Sequence, residues 1–347
     1  MKNNLRTLVL LKLLLLFGCI LFYSNILQTQ LKCNDDNFIL NIPPDSNANY
    51  VSLVLEENLC LDEVLFKLVI YSTFNQKNIK PGLYSLKGIR TVQDLVRLIT
   101  SVSKDRKSMT IYEGWNIDDI AESLSRKFNI NKNKFISLCY NSDYIKDLGI
   151  NYDVPSLEGF LFPDTYIFLN TYNEKDIIRI LTKRFMDKYN KDIYPLSINS
   201  QLDLVEIITL ASIIQGEAML IDEMPIISSV YHNRLKKRMK LEADPTVLYF
   251  MEKDDLSNFK KFVGKKESAK IFKKYKKINN PYNTYYNFGL PVGPISNPGL
   301  DALKAAINPK GSDKNYLYFV ADGSGGHIFS RSLYEHKRAI RKVRNGY

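Results

Sequence analysis

Glu217 stands where a carboxylate would do chemistry. It ends the run Leu210-Ala211-Ser212-Ile213-Ile214-Gln215-Gly216-Glu217-Ala218, and at 3.6 residues per turn Leu210, Ile213 and Ile214 share its face. A carboxylate that continues an apolar stripe loses hydration, so its pKa rises toward what a general acid needs near neutral pH. The alternative is a structural Glu that pairs with an Arg or caps a helix. Glu206, about three turns earlier on the same helix, is the competing carboxylate. Glu217 is preferred because Gly216 removes bulk beside it, where a cleft can open.

The helix that positions Glu217 is expected to begin near Ser200 and Asp203, a pair that resembles a capping box. Leu202, Leu204, Val205, Ile207 and Ile208 make it apolar nearly all round, which predicts a central, buried helix. Downstream, Asp222-Glu223-Met224-Pro225 reads as the start of a helix leading to Asn233-Arg234-Leu235. Asp244-Pro245-Thr246 is another start signal, with Asp244 as the N-cap. Asn280-Pro281-Tyr282-Asn283-Thr284-Tyr285 and the stretch from Gly289 to Gly299 predict a rigid loop without a regular ladder. Amides, hydroxyls and rings held on a rigid loop suit a sugar site.

Seven segments follow one another in a telling order: Glu158 to Tyr166, Leu210 to Ala218, Asn233-Arg234-Leu235, Asp244-Pro245-Thr246-Val247, Tyr282-Asn283-Thr284-Tyr285, Gly289-Leu290-Pro291 and Tyr316 to Asp322. Together they resemble the YceG-like (MltG) family, the endolytic murein transglycosylases of bacteria. The resemblance implies cleavage of the MurNAc–GlcNAc bond within nascent peptidoglycan strands, without water, leaving a 1,6-anhydro-MurNAc end. It places the catalytic carboxylate, the second acid of a Glu-x-Glu sequence, on Glu217. The first acid is replaced here by Gln215, which argues against a two-carboxylate hydrolase built on that motif. Asn233, Arg234, Asp244, Thr246, Tyr282, Asn283, Thr284 and Tyr285 are expected to bind substrate, with Asn233, Tyr282 and Asn283 in the same cleft as Glu217. Peptidoglycan glycan strands are the implied partner, together with the synthases that make them. In a different class stands a membrane-anchored, wall-binding scaffold without turnover; retention of Glu217 with the polar clusters favours the enzyme.

No cofactor or metal is expected. The three histidines, His232, His327 and His336, are scattered and lack HExxH spacing; His232 and His327 read as structural or substrate-lining. The four cysteines, Cys19, Cys33, Cys60 and Cys139, show no CxxC pair and make no disulfide framework.

The expected fold class is α+β: an N-terminal transmembrane helix, a small LysM-like module and a mixed α+β catalytic domain. Residues 1–7 would be a short cytoplasmic tail. Residues 8–27 are almost wholly apolar, interrupted by Lys12, and long enough for one bilayer span. Lys2, Arg6 and Lys12 keep the N-terminal side inside, sending the rest to the periplasmic side of the inner membrane. A cleaved signal peptide and a lipoprotein-like site at Cys19 are the alternatives; the apolar run continuing through Tyr23 favours an uncleaved anchor. Residues 38–150 are expected to bind glycan, because Ile111 to Leu124 resembles the strand, glycine turn and helix that open a LysM module. Trp115, the only tryptophan, either stacks on a sugar or staples the following helix. Residues 151–347 would be the YceG-like catalytic domain, ending in a hairpin and a basic helix. The formal net charge of +11 does not imply nucleic acid, since lysine is spread thinly and a protein exported across the membrane meets none; anionic lipid or wall polymers are the suited partners.

Overall fold

The computed structural model describes residues 17–18, 23–29, 38–42, 46–59, 61–86, 88–100, 106–170, 172–198, 200–311 and 314–345. The chain forms two compact units, Met1–Met109 with Tyr166–Tyr172, and Thr110–Thr165 with Asn173–Tyr347. The division falls after Met109. Its cause is long-range backbone bonding: Ile111 N–H donates to Asp164 O, Gly114 N–H to Asn297 O, and Asn297 N–H to Trp115 O. Partners so far apart in sequence leave no local signal.

In the first unit, β1 (Ile39–Ile42) runs antiparallel to β2 (Gly82–Ser85), with Ile39 opposite Ser85. Helices α1 (Ala48–Leu59), α2 (Glu63–Ser72) and α3 (Val92–Thr100) bury Val51, Leu55, Phe66, Val69, Ile70, Leu95 and Ile99 in one core. Asp62 caps α2 by accepting from Leu65 N–H, and Thr91 does the same for α3 from Asp94 N–H. Ile26 and Leu27, the last residues of the expected membrane span, pack against this core. Most of residues 8–27 and all of 1–7 lie outside the described residues. Among the described residues, no helix is long and apolar enough to cross a membrane.

β3 (Arg106–Thr110) pairs with β4 (Thr165–Leu169). The second unit is built mainly of helices: α4 (Ile117–Lys127), α5 (Lys132–Cys139), α6 (Ser142–Asp147), α7 (Glu174–Lys188), α8 (Tyr194–Ser197), α9 (Leu204–Glu217), α10 (Met224–Lys236), α11 (Asp244–Tyr249), α12 (Lys253–Lys261), α13 (Lys266–Tyr275) and α14 (Leu300–Ile307). The hairpin β5 (Tyr318–Ala321) and β6 (His327–Ser330) and helix α15 (Leu333–Arg344) close it. The mixed α+β class holds, with small sheets in a helix-rich chain. Cys139 is free and buried; Cys19, Cys33 and Cys60 lie outside the described residues.

Helix α9 is central, packed against α10, α11 and α14, and every residue from Ile207 to Ile214 is buried. Its capping box is Asp203 with Glu206, one turn later than the expected Ser200–Asp203 pair: Asp203 accepts from Glu206 N–H at 2.8 Å, and Glu206 from Asp203 N–H at 3.0 Å. Ser200 instead accepts from Leu202 N–H at 3.0 Å. Glu206 thereby spends its carboxylate at the helix start.

The loop before β4 is pinned to this helix. Gly159 has φ +85°, and a Cβ there would lie 2.5 Å from Ile208 Cγ2 and 2.7 Å from Pro294 Cγ. Next to it, Glu158 is buried and accepts from Ile117 N–H at 3.2 Å, Asn297 Nδ2 at 3.0 Å and the Tyr249 hydroxyl at 3.3 Å. Burial pushes its pKa up to about 8, opposed by the Ile117 and Tyr249 donors. Glu158 therefore joins α4, α11 and the 289–299 loop at one point.

Candidate active site

Glu217 occupies the last turn of α9. Across from it, α10 presents Tyr231, whose hydroxyl donates to Glu217 Oε1 at 2.9 Å. The backbone N–H of Asp244, at the first turn of α11, also donates to the Glu217 carboxylate. Burial, and then the Asp244 charge, push the Glu217 pKa up to about 7, against the opposing effect of these donors and of Arg234. A carboxyl so placed is a proton donor and acceptor matched to neutral pH.

Gly216 makes the approach of α11 possible. A Cβ at 216 would sit 2.8 Å from Pro245 Cβ, so the missing side chain lets Pro245, and with it Asp244, close on the end of α9. The glycine admits a neighbouring helix, and an opening lies where Glu217 and Asp244 line a common cleft.

That opening is a cleft of about 450 Å³, lined by Glu217, Tyr231, Arg234, Asp244, Tyr285 and His327, with Glu242 and residues of β5 and α15. Asp244 does not cap its helix as expected: Ala243 is the N-cap residue and no side chain caps there. The Asp244 carboxylate accepts instead from the Tyr285 hydroxyl. Although Asp244 as a residue is exposed, its carboxyl lies in the cleft wall, where lost hydration raises its pKa against the Tyr285 hydroxyl and the Lys276 ammonium. Lys276 Nζ sits 3.6 Å above the Tyr285 ring. The cleft thus contains a second carboxylate.

Of the expected substrate-binding residues, Arg234, Asp244 and Tyr285 share the cleft with Glu217. Arg234 bonds mainly backbone: Nε donates to Leu317 O at 2.7 Å, and Nη1 to Lys240 O at 3.1 Å and Leu241 O at 2.9 Å, with the Glu242 carboxylate 3.4 Å from Nη1. Its guanidinium also lies 5.1 Å from the Tyr318 ring. It holds the hairpin to the 240–242 loop while keeping a positive charge near Glu217. Asn233, expected in the cleft, donates to Tyr316 O at 3.0 Å and ties α10 to the same hairpin. Asn283 is fully buried and donates to Tyr275 O, Lys276 O and Ile278 O. Thr246 and Thr284 are buried against each other, 2.9 Å between hydroxyls. Tyr282 packs on Tyr249 with ring centroids 4.8 Å apart. These five lie outside the cleft lining and shape the loops around it. For Asn283 and Thr284 the reason is geometric: short polar side chains in a ladder-free loop are consumed by the backbone groups that the loop leaves unbonded.

Gln215 has a partner on each side of its amide. Its Oε1 accepts from Gly299 N–H at 3.0 Å, and its side chain bonds Glu113, whose pKa is raised by burial and by Asp301. An amide offers both a donor and an acceptor; an ionised carboxylate offers no donor. We expect Gln215→Glu to place a third acid beside Glu113 and Asp301, costing about 1 kcal/mol at pH 8 after solvent screening. The new acid would have a raised folded pKa, so the cost grows with pH and shrinks at pH 5. Denaturant unfolding at the two pH values measures it; equal stability to wild type at pH 8 would rule the bridge out.

Tyr231, Tyr318 and His336 are not assigned to the cleft from sequence, and His327 reads there only as structural or substrate-lining. They come from α10, β5, β6 and α15 and carry no common spacing. The Tyr316 to Asp322 segment marked the strand but not its role as a wall.

A cleft with a carboxyl poised near pH 7 and aromatic walls defines a site suited to proton-transfer chemistry. The chain belongs to the YceG-like family, which matches residues 40–342. It is 28% identical to a Bacillus subtilis protein named endolytic murein transglycosylase, over 95% of this chain and 91% of that one. A Streptococcus pneumoniae protein of the same name is 27% identical over 87% of this chain, which spans 57% of its length. The crystal structure of a yceG-like protein from Listeria monocytogenes superposes with a TM-score of 0.57 at 27% identity, covering 87% of this chain and 98% of that one.

Proposed function

We propose that this protein is an endolytic lytic transglycosylase that cuts the MurNAc–GlcNAc bond within peptidoglycan glycan strands and leaves 1,6-anhydro-MurNAc ends, terminating strand growth. The observation that carries this reading is the Glu217 carboxyl, which lines the cleft with its pKa raised to about 7. Protonated, it gives its proton to the glycosidic oxygen as positive charge develops at the anomeric carbon. Ionised, it takes the proton of the C6 hydroxyl of the same sugar, which attacks the anomeric carbon in place of water. One group serves both steps because the first leaves it in the state the second requires. Asp244, with its charge partly met by Tyr285, is placed to stabilise the developing cation.

In the same reading, residues 8–27 anchor the chain in the membrane and the catalytic unit acts on the cell-wall side, near the synthases that make the strand. The region from 38 to 150 adds glycan-binding surface.

The test is product analysis in isotopically labelled water with uncrosslinked glycan strands and the full chain. New ends should be anhydro-MurNAc with no solvent oxygen. Reducing ends carrying label would make the enzyme a hydrolase, with Asp244 as its second carboxylate.

A further inference from the structure

The same cleft contains a second arranged group. Glu223, in the turn that leads into α10, takes two bonds from the start of β6: His327 N–H donates to Oε1 at 2.9 Å, and His327 Nδ1 lies 2.7 Å from Oε2. The turn before His327 is itself fixed, since Asp322 Oδ1 accepts from Ser324 N–H at 2.7 Å and Gly326 N–H at 3.1 Å. The Phe319 ring meets the imidazole edge-on at 5.2 Å, and the His327 side chain is 8% exposed. Two bonds to one carboxylate hold both the backbone and the ring angle, which is more than hairpin closure requires.

A carboxylate on Nδ1 selects the tautomer that carries its proton there, leaving Nε2 as an acceptor. Nε2 has no partner among the described residues and is not among the buried atoms that lack one. His327 lines the cleft, whereas Glu223 does not. Nε2 is therefore the polar atom that the ring offers to whatever enters.

We propose that His327, oriented by Glu223, is a substrate-binding residue of this cleft, its Nε2 accepting a hydrogen bond from a hydroxyl or amide N–H of the saccharide beside the bond that Glu217 cleaves. Glu223 is a positioning residue that acts through the ring. The inference rests on the reading of Glu217 as the catalytic acid.

The experiment uses the full chain carrying Glu217→Gln, which should bind strands without cutting them, and soluble uncrosslinked glycan strands as the probe in calorimetric titration. Adding His327→Ala should weaken binding about tenfold, a neutral hydrogen bond lost from a largely enclosed site. His327→Gln, whose amide can reach the position of Nε2, should recover part of that loss. Glu223→Gln should weaken binding less than His327→Ala, because its amide oxygen still accepts one bond. Melting temperatures within a few degrees of the parent would accompany these effects. Binding by the His327→Ala double variant equal to that of the parent would overturn the proposal, as would a loss not recovered at all by His327→Gln. If Glu217→Gln itself still cuts strands, the reading of the catalytic site fails instead; if it is inactive and His327→Ala binds normally, this inference alone fails.

Discussion

Glu217→Gln should lose at least a thousandfold in turnover of glycan strands while melting at a higher temperature than wild type above pH 7. The first effect follows from chemistry: an amide keeps the shape and the bond from Tyr231 but neither delivers nor accepts the proton, and general acid–base catalysis is worth about 10²–10⁴ for each transfer. The second follows from linkage. The folded pKa of about 7 lies above the ordinary glutamate value of 4.5, so the fold prefers the protonated acid. Below pH 4.5 there is no penalty; between 4.5 and 7 it grows; above 7 it is complete, at about 3 kcal/mol for a shift of this size. The glutamine is neutral throughout and escapes it. The gain should therefore be present at pH 8 and absent at pH 4. A structural glutamate held by Arg234 would behave in the opposite way, with the amide destabilising at pH 8. In wild type, the same titration should lower kcat/KM about tenfold per pH unit well above 7, as the acid form is lost. Retained turnover in Glu217→Gln, or a lower melting temperature at pH 8, would move the chemistry elsewhere.

Gly159→Ala should cost about 2–5 kcal/mol, a large loss for adding one methyl group. Two penalties combine. A non-glycine residue at φ +85° is strained by about 1–2 kcal/mol, and overpacking a close contact costs about 1–3 kcal/mol. Here the contact is with Ile208 Cγ2 at 2.5 Å and the Pro294 ring at 2.7 Å, and neither is the free end of a long side chain. Ile208 lies mid-way along α9, so relief would shift the helix that positions Glu217. Activity of whatever fraction folds should fall as well. Denaturant unfolding of the full chain measures the loss, and a change under 1 kcal/mol would show that the loop can move away from α9.

The apolar run from Leu204 to Ile214 already dictated a buried central helix, because residues apolar on every side have no face to give to water. It also dictated that a carboxyl at the end of that run would be deprived of hydration, so Glu217 was legible before any coordinates. The hairpin, the helix start at Met224-Pro225 and the basic last helix were equally local, written in turn residues and proline placement. The partners of Glu217 were decided only by tertiary structure. Tyr231, Asp244, Tyr285 and His327 come from four separate segments, and no periodicity links residues whose proximity depends on how whole helices and a hairpin pack. The same holds for the residues that sequence placed in the cleft and the fold did not. Asn283, Thr246 and Thr284 are polar types fit for a sugar, but Asn283 donates to three backbone carbonyls, Thr246 donates to Ala243 O, and Thr284 accepts from Ala243 N–H and pairs with the Thr246 hydroxyl, so their bonds are spent inside the fold. Asp244 went the other way: Thr246 Oγ1 bonds the Ala243 carbonyl and Tyr285 reaches the Asp244 carboxylate, so a residue spelled as a helix cap is turned into the cleft. Local pattern determines which backbone forms and which side chains must hide; it cannot determine which polar groups remain unspent once distant segments have met.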